Sequence, residues 1–80
     1  MASVDEFILN EAPPADNSKI GILLAKIAIL RMASGFVGFD KVALLENSKK
    51  WNNFWGSVFT DDELEHFVNI AMGESPALMV

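Results

Sequence analysis

Cysteine is missing from this 80-residue chain, and histidine occurs once. The first absence removes disulfide staples and thiolate metal centres. The second leaves His66 short of company, since a zinc site takes three or four protein ligands. No metal or cofactor is therefore expected. Base is scarce too: six lysine or arginine residues stand against eleven acids, for a net charge of −5 at pH 7. That sign is wrong for a general grip on nucleic-acid phosphates, so no nucleic acid is expected as a partner. Nor are the acids arranged as a nucleic-acid mimic, because only Asp61, Asp62, Glu63 and Glu65 cluster. A phosphate-binding loop is lacking, as Gly35 and Gly38 have neither the Lys-Ser ending nor a preceding strand. The longest apolar run, residues 20–25, is six residues long. Lys26 and Arg31 interrupt the twenty-residue stretch 20–39, which argues against a membrane span. Residues 1–6 hold two acids and no base, the reverse of an export signal, and the expected location is the cytoplasm.

What remains is oily. The chain is 51% hydrophobic and 21% charged, enough to drive collapse into one domain spanning 1–80. Four helix starts can be read. Ser3 with Glu6 forms a capping box ahead of Val4, Phe7 and Ile8, and Pro13-Pro14 ends that segment. Asp16, Asn17 or Ser18 can cap a second helix, which Ser34-Gly35 should end, with Gly35 left-handed and Phe36 folded back. Asp40 caps a third, with Phe39 and Leu44 as a staple. Thr60 with Glu63 makes a second capping box, Phe59 with Leu64 a staple, and Asp61 and Asp62 complement the helix dipole. Helix initiation thus explains the acidic cluster. The prediction is all-α: a compact bundle of about four helices (approximately 3–12, 19–33, 41–56 and 61–72) around a central apolar helix.

That central helix is apolar nearly all round, and such a helix needs to be enclosed. Gly21, Ala25, Ala28 and Met32 share a sector about 60° wide, where small side chains let another helix approach closely. A chain of this length buries only about 60–65% of its unfolded surface, so apolar area should be left over. Pairing as a homodimer is the expected remedy. The expected interface draws on Gly21, Ala25, Ala28, Met32, Phe36, Phe39, Trp51, Trp55, Leu78 and Val80.

Candidate chemistry is thin. Asp62 or Glu63 could orient His66, but no nucleophile stands near in sequence, and a weak surface contact explains it as well. Residues 49–55 interleave lysines, amides and aromatics as single-strand binders do. Yet Trp51, Phe54, Trp55 and Val58 fall at helical spacing, which suits a core face. The apolar tail 77–80 could cover a groove on its own mate. No catalytic residue is assigned and no enzyme is expected. The sequence favours a small non-catalytic interaction or regulatory module that self-associates, with a possible protein partner. The alternative is a carrier of a small apolar or lipid-like ligand in the helical core.

Overall fold

Each helix begins where a side chain can satisfy the orphan amides of its first turn. In the computed structural model, which describes residues 3–14 and 16–73, Ser3 accepts from the Glu6 amide and opens α1, Val4–Asn10. Ser18 accepts from Gly21 N–H at 3.2 Å and opens α2, Lys19–Met32. Asp40 takes the amides of Val42 and Ala43 and opens α3, Lys41–Phe54. Thr60 and Glu63 exchange both bonds of a capping box, at 3.1 and 3.0 Å, and open α4, Asp61–Ala71. Phe59 and Leu64, the predicted staple, are both buried. No strand occurs among the described residues. The fold is all-α, as the sequence predicts.

The end of the second helix differs from the sequence reading. Gly35 does not end the second helix. Ala33–Val37 widens instead into a π turn that continues α2, and Gly38, at φ 74°, supplies the left-handed residue. The wider winding keeps Phe36 in the helix, where its ring meets Phe7 with centroids 5.2 Å apart. In α3, Asn47 and Ser48 look like weak helix-interior residues. They bond back to the carbonyls of Ala43 and Leu44, at 2.8 and 2.7 Å, and the helix runs through them.

The core forms where α2 and α3 meet α4. Ala25, Ile29, Met32, Leu44, Trp51, Leu64 and Val68 are fully buried there. The seven-residue α1 is too short to persist alone, and it is held by side chains of other helices. Trp55 Nε1 donates to the Ile8 carbonyl at 2.7 Å, and Trp51 Nε1 donates to the Glu11 carbonyl. These are C-terminal carbonyls that a free helix would leave to water. Arg31 adds an ion pair to Glu11 at 2.9 Å and lies 5.4 Å from the Phe7 ring centre.

Between α3 and α4 the chain turns through Gly56 and Ser57, both at positive φ. Buried Asn52 spans this turn: its Nδ2 donates to Phe59 O at 2.7 Å and its Oδ1 accepts from Phe59 N–H at 3.0 Å. Asn52→Ala would leave two buried backbone groups unsatisfied. We expect a loss of about 2 kcal/mol, read as a lower urea midpoint at unchanged slope. A midpoint equal to that of the parent chain would mean that water replaces the amide freely.

Among the described residues nothing covers the outer side of α2, where Ile20, Leu23, Leu24, Ile27 and Leu30 are exposed.

Candidate interaction surface

On α2 one side is buried in the core and the other presents five large aliphatic side chains. Gly21, Ala25, Ile29 and Met32 are buried. Ile20, Leu23, Leu24, Ile27 and Leu30 are exposed by 72, 56, 50, 46 and 46% respectively. These five occupy an arc of about 120°. In heptad terms Ile20 and Ile27 take the a positions and Leu23 and Leu30 the d positions, with Leu24 beside them at e. Lys19 and Lys26 line one flank, and Lys26 shares a depression of about 430 Å³ with Asp62, Glu63 and His66 of α4. Along the other flank lies a cleft of about 240 Å³, lined by Ala12, Pro14, Leu24, Ile27 and Arg31 among others. Arg31 is drawn aside to Glu11, which leaves the row itself apolar.

A second uncovered area lies between α1 and α3. Ile8, Leu9, Asn53 and Phe54 line an open groove of about 580 Å³, whose rim carries Asp5 and Lys50. Leu9 and Phe54 are 54 and 56% exposed. The Asp5–Lys50 pair, 3.5 Å apart and well exposed, contributes little to stability.

The expected interface residues therefore divide. Gly21, Ala25, Met32 and Trp51 are turned into the chain's own core, and Ala28 and Phe36 are half-buried against it. They are filled from within, so the surface that remains open is not the small-residue sector. Trp55, at 38%, and Phe39, at 54%, keep exposed faces. Leu78 and Val80 lie outside the described residues. The exposed row Ile20, Leu23, Leu24, Ile27 and Leu30 is not among the residues expected from the sequence. Their signal was the Ile/Leu recurrence at heptad spacing, hidden in a helix with hardly any polar side.

The chemistry-bearing residues assemble no centre. His66 is exposed and its ring lies 6.4 Å from that of Phe67. Among the described residues no group of three or more histidine, aspartate or glutamate side chains is placed to hold a metal ion. The titration of Asp16 is displaced. The Ser18 hydroxyl and then its backbone N–H hold it below the usual carboxylate range, at the turn that leads into α2. The aromatic segment 49–55 offers no continuous stacking platform, because Trp51 is buried. The centre of the bundle is filled by Trp51, Ile29, Met32, Leu44, Leu64 and Val68.

The continuous helix Lys19–Val37 is 19 residues long with a mean hydropathy of 1.9, enough in length and composition to cross a bilayer. In this fold its small-residue side is spent on α4 and the core. Compared with family models, curated proteins and solved structures, the chain matches none.

Proposed function

We propose that this chain is a small non-catalytic interaction module that self-associates through the outer face of α2. The observation that carries the reading is the unbroken row Ile20, Leu23, Leu24, Ile27 and Leu30 on one side of a helix whose other side is already packed. Together these exposures amount to roughly 500 Å² of apolar surface, at the upper end of what an ordinary monomer leaves in one patch. Two such faces bring together roughly 1,000 Å², the least that a specific interface has to bury and the low end of the range. Insertion of the same helix into a bilayer would carry Lys26 and Arg31 with it, at about 2.5–3.5 kcal/mol each. It would also strip α2 from α4. Pairing in water costs neither.

Light scattering on a sizing column tests this. The chain is expected to elute with twice the mass of one copy at micromolar concentration. Ile27→Glu, placed in the middle of the row, is expected to give a single copy with unchanged helix content. The side chain is exposed, so the fold should tolerate the charge while the pair does not. A parent chain that runs as a single copy up to millimolar concentration removes the reading.

A further inference from the structure

We infer that the two copies pair antiparallel, α2 against α2, about a two-fold axis that crosses the helices at the level of Ala25. The inference rests on the reading of α2 as the pairing face and adds the partner's orientation and register. Three observations fix it.

The first is the slope of the exposed row. Exposure declines from 72% at Ile20 to 46% at Leu30, so the start of the row is less covered by its own chain than the end is. Antiparallel packing seats the less covered end of one copy on the more covered end of the other. Ile20 then meets the partner's Leu30, and Leu23 the partner's Ile27, so each layer joins a more exposed side chain to a less exposed one. Parallel packing would set Ile20 against its own copy and Leu30 against its own.

The second is what flanks the row. In a parallel pair each g position faces the e position five residues on in the partner. Lys26 would then face Arg31, base against base, and Lys19 would face Leu24, charge against an apolar side chain, each twice over. In an antiparallel pair like flanks meet. Leu24 lies against its own copy across the axis, beside the cleft bordered by Ala12, Pro14 and Ile27. On the other side the Lys26 depressions come together, each with Asp62 and Glu63 at its rim, so each lysine meets the partner's carboxylates as well as its lysine. The antiparallel pair thus sets carboxylates beside each Lys26 and keeps Leu24 against an apolar partner.

The third is composition. Alternating Ile at a and Leu at d makes the face self-complementary about a two-fold, and an isologous face needs no second sequence. Read from opposite ends the a/d series is Ile-Leu-Ile-Leu and Leu-Ile-Leu-Ile, so a second copy turned end for end sets an isoleucine against a leucine in every layer.

Because the chain has no cysteine, single introduced thiols report the geometry directly. Chains carrying Ile20→Cys and Leu30→Cys are mixed, equilibrated, mildly oxidised and weighed by mass spectrometry. The mixed 20-to-30 disulfide is expected well in excess of its statistical share. A dimer that gives mainly 20-to-20 and 30-to-30 bonds overturns the orientation and leaves the pairing face standing. A dimer that gives no disulfide overturns the face as well. Reduced chains that run as single copies, give only a statistical mixture, and float with phosphatidylcholine vesicles make lipid the occupant and overturn both.

Discussion

Trp51→Ala is expected to abolish cooperative folding at 37 °C. The indole is fully buried between α1, α3 and the core, and its Nε1 donates to the Glu11 carbonyl that ends α1. Truncating a buried tryptophan to alanine costs about 3–5 kcal/mol, and the stranded carbonyl adds about 1–3 kcal/mol more. A chain of this length has a total stability of about 4–12 kcal/mol. Each lost kilocalorie lowers the Tm of so small a domain by about 4–8 °C, so a fall of 20 °C or more is expected. Circular dichroism at 222 nm during heating reads it. Trp55→Ala is the control. Its ring is 38% exposed and its bond to the Ile8 carbonyl can be replaced by water, so a smaller loss of about 1–2 kcal/mol is expected. Equal losses for the two variants would mean that the hydrogen bonds, and not the buried ring volume, hold the tryptophans' part of the core.

The difference between those tryptophans is not written locally. Trp51 and Trp55 are four residues apart on one helical face, and only the path of α1 across that face decides which is covered. Helix starts are legible because their chemistry is local: Ser3, Asp40 and Thr60 each act on amides two or three residues away. The end of α2 is less so. Choosing Gly38 over Gly35 for the left-handed residue depends on a π turn that Phe36 secures through Phe7, a residue 29 positions away. The candidate surface was hardest to read. In a helix with apolar residues on nearly every side, hydropathy gives no direction, and the small-residue sector looked like the face for a partner. Within the fold, the sector with Gly21 and Ala25 also carries Ile29 and Met32 into the core, and Ile20, Leu23 and Ile27 stay outside.

Gly21→Val is expected to cost about 3 kcal/mol or more, and the reason lies in the turn before α2, not in any partner helix. Glycine inside a helix is about 1 kcal/mol less favourable than alanine, so a replacement would ordinarily help. Here a Cβ would stand 2.3 Å from the backbone oxygen of Asp16 and 3.1 Å from its Oδ1. Asp16 is not free to yield. Its Oδ1 accepts from Ser18 N–H at 3.0 Å, while Ser18 itself caps Gly21 N–H. Moving the aspartate therefore loosens the cap, worth about 1 kcal/mol, besides the 1–3 kcal/mol that overpacking usually costs. Valine adds a branched Cβ to the same space. Gly35 supplies the contrast, since a Cβ there meets nothing within 4 Å. Gly35→Ala is expected to be neutral or to stabilise by up to about 1 kcal/mol. Urea titrations of the two variants at a concentration that keeps the parent in one oligomeric state separate the cases. A Gly21→Val chain as stable as the parent would show that the turn can move aside at no cost. Gly21 would then lose its structural reason for being glycine.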